Sequence, residues 1–385
     1  MAETWPVHDQ DEERALLEVL RSGHWGSTSG DTVAAFEREF AAAQQARHAI
    51  CVCNGTLAIA AALRAVGVGV GDEVVVPSYT FIATASAALF VGALPVFADV
   101  DPATHLLDPR AVEAAITERT KAVIPVHLAG RPADMDAFTA LGRSHGVAII
   151  EDAAQAHGAA YRGRPVGAIG DASTFSFQSS KNITAGEGGA VLTDDDELAH
   201  SLYGLVNVGR VPGGGWYQHL SVGYNLRLTE FQAALLRVQL GRHQELQRIR
   251  ERNAGLLTRL LSEDDAFLLP GEDPAVTAHG RHLFLFRVPS LAVGDRKDQA
   301  LRALAAEGVT GVSPGYQPLH RNQALLRESA ELAQRLGREY HPNQCPETDR
   351  VAADTVWLAQ PNLLSDEDST VALAQSLRKA VASTV

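Results

Sequence analysis

The chain has 385 residues, 46% of them hydrophobic, and a formal net charge of -13. That length suffices for a large domain and a smaller second one, each with its own core. The acidic balance argues against nucleic acid or an anionic membrane as a partner, since both call for a basic face. Three cysteines, behind an opening without a signal-peptide pattern, point to a reducing cytoplasm and no structural disulfide.

In chain order, residues 49–53 read as a short strand. Cys51 and Cys53 share one of its faces and pack in the core; neither stands at zinc spacing with another Cys or His, so no metal is expected. Asn54-Gly55-Thr56 then opens a helical pattern over 57–66. Backbone amides at a helix start, with a glycine allowing close approach, bind phosphate, although the same triplet is also ordinary turn chemistry. Residues 74–98 carry no charge and are long enough to suggest a membrane span. Pro77, Pro95 and the polar Ser78-Tyr79-Thr80 interrupt the run, however, so it reads as a strand over 73–77, a buried helix and a strand over 94–98. Strands over 122–126 and 148–150 alternate with helical spacing over 109–116 and 135–145, which argues for a mostly parallel α/β sheet. His127 stands at the end of the first of these strands, where it takes either a substrate role or a structural hydrogen bond.

Glu151-Asp152 falls at the carboxyl end of the next strand, where open α/β sheets place their ligands. Two further strands, 172–177 and 189–192, are separated mainly by the loop carrying Lys181, so they lie antiparallel or at an edge. A long amphipathic helix over 229–261 leaves the large domain. The turn-rich Pro270-Gly-Glu-Asp-Pro274 enters the second, where 282–288 reads as a strand and 298–307 as a helix. The division expected is 1–250 for the large domain and 251–385 for the small one.

Lys181 is the residue with the most chemistry. A cationic amine in a tight polar turn between buried strands, beside Gly186, Gly188 and Gly189, suits imine formation with a carbonyl. A solvated loop lysine is the plainer reading, as a helix cap is for Asp152. Together, at the ends of separate strands of one sheet, they suit pyridoxal 5'-phosphate, which takes a Schiff-base lysine and an acidic partner for its ring nitrogen. At about 3 Å and an effective dielectric of ~20, that contact is worth roughly 5 kcal/mol before desolvation. Among the histidines, His157 positions the Asp152 loop, while His279 and His282 read as surface residues.

The ordered set Asn54-Gly-Thr56, Pro77–Thr84, Glu151–Gly158, Ser176–Gly189, Gly223–Gln232 and Tyr316–His320 resembles the DegT/DnrJ/EryC1/StrS sugar aminotransferases. That resemblance implies a fold-type I pyridoxal-phosphate transferase, with a mostly parallel seven-stranded sheet and a smaller α+β C-terminal domain. By the same resemblance, Lys181 carries the cofactor and moves the proton, Asp152 meets the pyridine nitrogen, and Gln155 lies beside the ring hydroxyl. Phe81 stacks on the ring, and Gly55, Thr56 and Ser176 hold the phosphate. Asn225 reaches the phosphate from a neighbouring subunit, which implies a homodimer. Members that dehydrate deoxysugars carry histidine in place of Lys181, so lysine favours amino transfer. The Gly209–His219 segment and Trp5-Pro6 resemble the scyllo-inosose aminotransferase and 3-amino-5-hydroxybenzoate synthase branch. The implied reaction takes an amine from glutamine or glutamate to a keto-cyclitol or keto-sugar. An aromatising dehydration and a non-catalytic cofactor-binding partner protein are the alternatives. His127, His219, Tyr316 and His320 are the candidate substrate contacts.

Overall fold

The computed structural model describes residues 5–384. Seven strands form its main sheet: β1 (His48–Val52), β2 (Glu73–Pro77), β3 (Leu94–Ala98), β4 (Thr120–Val123), β5 (Ala148–Asp152), β6 (Ala172–Ser176) and β7 (Gly189–Thr193). Their spatial order is β1-β7-β6-β5-β4-β2-β3. The neighbours from β3 to β6 pair in parallel, while β7 runs antiparallel to both β1 and β6. The strand after the lysine loop is thus antiparallel, but it lies inside the sheet rather than at its edge. β4 ends earlier than the 122–126 expected from sequence. Pro125 has no N–H for the ladder; its carbonyl accepts Asp152 N–H at 2.9 Å, and Val126 keeps only an isolated bridge to Asp152.

Burial on both faces explains why these strands are continuously apolar. Val74 and Val76 pack into one layer and Val75 into the other, following the two-residue strand period. One layer contains the alanine-rich helix α1 (Gly55–Ala65), whose Ala58, Ala60, Ala61 and Ala62 let its backbone lie close to the sheet. Phe36, Phe40 and Phe138 fill the opposite layer. The apolar run 74–98 is a strand, the buried helix α2 (Ala83–Phe90) and a strand. No helix among the described residues is long and apolar enough to cross a membrane. The first 48 residues, left unassigned by the sequence reading, contribute the helices Gln10–Ser22 and Thr32–Ala43.

Helix α3 (Glu230–Leu261) begins at a Thr229/Gln232 capping box and extends about 48 Å. Its far end, through Ala254, Leu257 and Leu261, enters a second core with Phe284, Phe286, Val356 and Leu377. There β8 (Leu283–Arg287), β9 (Val312–Ser313) and β10 (Thr355–Ala359) form an antiparallel sheet in the order β8-β10-β9. Strand alternation turns Phe284 and Phe286 toward that core, and Leu283, Leu285 and Trp357 toward Tyr79 and Val126 of the main sheet. The segment between β9 and β10 folds back onto the main sheet. Leu319 N–H bonds Ser78 O at 2.8 Å, and Tyr340 Oη bonds Pro95 O at 2.9 Å.

Candidate active site

The carboxyl ends of β5 and β6, the start of α1 and the lysine loop enclose a cavity of about 880 Å³. Its wall is closed by Leu283 of β8, Trp357 of β10 and Tyr316.

One end is built for an anion. Asn54 is extended, and its Oδ1 accepts Leu57 N–H at 2.9 Å, capping α1. The amides of the first helical turn have no acceptor within a helix, and Gly55 and Thr56 line the cavity at that point. A Cβ on Gly55 would stand 2.7 Å from Ser176 Cβ, so only glycine lets the helix begin against β6. Gly189 permits the same closeness from β7, where a Cβ would lie 2.6 Å from the Asn54 carbonyl carbon.

Asp152 lies buried within the same cavity. Thr84 Oγ1 donates to its Oδ2 at 2.9 Å, and Ala154 N–H to its Oδ1 at 3.2 Å. Burial nonetheless pushes this carboxyl's pKa up, against those two donors and the charge of Lys181. A buried carboxylate so placed gains from a cationic ring nitrogen; with the aromatic Phe81 and the anion-binding end, the residues fit pyridoxal phosphate.

Lys181 sits in a loop pinned from several sides. Its N–H bonds Gln178 O at 2.9 Å, and Ser179 N–H bonds Gly186 O at 2.9 Å. Gly186 and Gly188, at φ 81° and 149°, make the turn that returns the chain to β7. Trp5 Nε1 donates to Ser179 O at 2.8 Å, and the Trp5 ring lies 5.3 Å from the guanidinium of Arg250. Arg250 is fully buried, gives its Nε–H to Gln360 Oε1 at 2.8 Å, and is held down to about 9 by burial. Burial also pulls the Lys181 amine from 10.5 to about 8, with the Asp152 charge opposing.

Gln155 bridges two walls: its Oε1 accepts Ala129 N–H at 2.6 Å, and its Nε2 donates to Tyr316 Oη at 2.9 Å. Tyr316 packs edge-on to Trp357 at 4.5 Å, and burial pushes its hydroxyl up to about 12, so it keeps its proton.

Gly55, Thr56, Phe81, Asp152, Gln155, Ser176, Lys181 and Tyr316 therefore meet in one cavity. Four other candidates do not join them. His127 is fully buried: its Nδ1 accepts Ala133 N–H at 2.9 Å, and its Nε2 meets Glu151 Oε2 at 3.0 Å. Glu151 in turn accepts the amides of Gly167, Ile169 and Gly170. Burial would raise its pKa, but His127 and those amides hold it low, which makes the pair a latch for the 167–170 turn. His320 is buried against Ser78 Oγ at 2.6 Å, fastening the segment after Tyr316 to the end of β2. His219 is exposed, with Nδ1 on Val208 O at 2.7 Å. Asn225 is likewise exposed, next to a strip in which Trp216 and Val222 are 80% and 84% exposed.

Two residues with a place in the cavity were missed. Thr84, three residues beyond Phe81, holds Asp152, and no local signal marks that contact across 68 positions. His282, read as a surface residue, is buried and lines the cavity at the mouth of β8. Its neighbours Leu283 to Arg287 are all buried, and that apolar run was the available signal. Among the described residues no cluster of His, Cys, Asp and Glu is arranged to hold a metal.

Comparison with known proteins agrees with this architecture. Residues 6–375 match the DegT/DnrJ/EryC1/StrS aminotransferase family. The chain is 40% identical over 382 residues to a 3-amino-5-hydroxybenzoate synthase of Amycolatopsis mediterranei (strain S699), covering 98% of this chain and 97% of that protein. It is 40% identical over 403 residues to an L-glutamine:2-deoxy-scyllo-inosose aminotransferase of Streptoalloteichus tenebrarius, covering 97% and 94%. The crystal structure of a 3-amino-5-hydroxybenzoic acid synthase superposes with a TM-score of 0.92 at 38% identity, covering 100% of this chain and 99% of the other.

Proposed function

The chain belongs to the DegT/DnrJ/EryC1/StrS aminotransferase family, and we propose that it moves an amino group from glutamine or glutamate onto a keto-cyclitol or keto-sugar. It is a pyridoxal-phosphate-dependent aminotransferase of mixed α/β, fold-type I architecture. The observation that carries the reading of its site is one cavity holding three things: an amine poised near neutrality, a buried carboxylate and a glycine-opened helix start.

When bound, pyridoxal phosphate supplies an aldehyde that amines capture and a ring that takes up the electron pair of a broken C–H bond. Gly55, Thr56 and Ser176 would hold its phosphate, Phe81 its ring face, and Gln155 the side of its ring hydroxyl. Asp152, steadied by Thr84 and Ala154, would keep the ring nitrogen protonated. Lys181 would hold its aldehyde carbon. The Nζ, when free, would take a proton from the substrate carbon and return one. An amine with a pKa of about 8 does both near neutral pH. Trapping with borohydride and mapping the labelled peptide tests the attachment, and a label anywhere but position 181 refutes it. Lys181→Ala should abolish turnover with every donor and acceptor.

The proposed acceptor is a ring ketone of aminocyclitol, aminosugar or antibiotic biosynthesis, in keeping with the 2-deoxy-scyllo-inosose aminotransferase relative. The proposed assembly is a homodimer in the cytoplasm, joined through the exposed apolar strip beside Asn225, with each Asn225 serving the partner's cavity. Mixing the inactive variants Lys181→Ala and Asn225→Ala tests this. Subunit exchange should restore roughly a quarter of the sites, and no recovery removes the shared site. The similarity to 3-amino-5-hydroxybenzoate synthase supports a second reading, aromatising dehydration; an aromatic product from a cyclic keto-acid would select it.

A further inference from the structure

Directly after the reactive lysine, Asn182 is buried and its amide is fixed in one orientation, because Nδ2 donates to Gly280 O at 2.6 Å. Its Oδ1 is therefore turned to His282 Nδ1, 3.1 Å away. A carbonyl oxygen only accepts, so Nδ1 must carry the imidazole proton. The backbone holds the same residue twice more: His282 N–H bonds Ala129 O at 2.9 Å, and His282 O accepts Gln360 N–H at 3.0 Å. This leaves Nε2, with its lone pair, as the nitrogen available to the cavity that Lys181 also lines. Among the described residues, no group bonds Nε2. Burial first, then the charges of Lys181, His157 and Arg250, hold this imidazole well below its ordinary pKa.

A fixed, unprotonated acceptor that shares a cavity with a primary amine can orient that amine. We propose that His282 is a positioning residue whose Nε2 accepts a hydrogen bond from the freed Lys181 amine, aiming the amine's lone pair at the reacting carbon. No proton passes to the imidazole. The amine gains one from carbon and gives one back, with His282 neutral throughout and Asn182 setting its tautomer. The inference rests on Lys181 being the reactive amine of the proposed site.

The charged and titratable groups around the amine are Asp152, Glu187, His282 and Tyr316 in the cavity, with the charges of His157 and Arg250 also acting on His282. In cofactor-free protein, reductive methylation with formaldehyde, read as label at position 181 across pH, reports the amine directly. The wild-type inflection is expected at about 8. In His282→Leu the ammonium loses its acceptor, and the inflection falls by about one pH unit, a tenfold change. His282→Gln, whose side-chain carbonyl offers an acceptor again, restores most of it. Asn182→Leu, which frees the tautomer, shifts it the same way as His282→Leu. In the loaded enzyme, His282→Leu lowers kcat about tenfold with the donor KM unchanged. Circular dichroism separates these effects from unfolding, and if His282→Leu does not fold, the Gln and Asn182 variants decide. An unmoved inflection in folded His282→Leu, or failure of His282→Gln to recover it, overturns the proposal while leaving Lys181 in place. Absence of label at 181 in the wild type overturns both readings.

Discussion

Lys181 should capture an aldehyde at a rate that climbs tenfold per pH unit up to about pH 8 and then levels. The amine moves from 10.5 to about 8 because burial penalises the ammonium more than the Asp152 carboxylate rewards it. At pH 7 the nucleophilic fraction is then about one in ten, against about one in three thousand for a solvated lysine, a gain of roughly 300-fold. The same shift sets a linkage with a definite sign. The unfolded chain keeps this proton up to pH 10.5 and the folded one only to about 8, so stability rises with pH between those values. Below pH 8 the full penalty is present, at most about 3 kcal/mol, less whatever water in the open cavity screens. Mixing cofactor-free protein with pyridoxal phosphate and following absorbance gives the profile, and the borohydride-trapped yield at position 181 confirms its origin. Asp152→Asn removes the charge that raises the amine, so its inflection must fall below 8. An inflection near 10 in the wild type, or a rise in Asp152→Asn, would refute the electrostatic account.

Three further outcomes follow from the geometry. Gly55→Ala forces α1 away from Ser176, and equilibrium dialysis should show at least tenfold weaker cofactor binding with secondary structure intact. Thr84→Val removes a donor that lowers the Asp152 pKa, so the carboxyl rises further and activity is lost at a higher pH on acidification. At pH 7 kcat should drop about tenfold, and an unmoved acid limb contradicts the role of Thr84. Asp354→Ala leaves the buried Arg287 guanidinium without the carboxylate it meets at 2.7 and 2.8 Å. Urea denaturation should register a loss of about 3–5 kcal/mol.

The sheet was legible because burial on both faces leaves an uninterrupted apolar signature, as at β2 and β3, whose bounds match the sequence reading. Lys181, Asp152 and Gly55 were expected at strand ends and a helix start of one sheet, and the structure brings them to one cavity. The cavity's far wall was less legible. His282 belongs to a β-strand entrance 100 positions from Asn182, and only the packing of β8 over the main sheet brings them together. Of the two readings of His127 the structural hydrogen bond holds: at the sheet's ligand edge, its partner Glu151 turns the ring inward. Asn225 and the strip around Trp216 leave the chain's own surface apolar, a feature one sequence cannot separate from an idle connector.

The cation–π stack of Trp5 on Arg250 bears on how the protein is handled. One indole both shields a guanidinium from water and grips the carbonyl two positions ahead of Lys181. Loss of that indole therefore acts at the loop that carries Lys181, through the Ser179 carbonyl 174 positions away from Trp5. Preparations should be checked for an intact Trp5 ring before any rate is assigned to the enzyme itself.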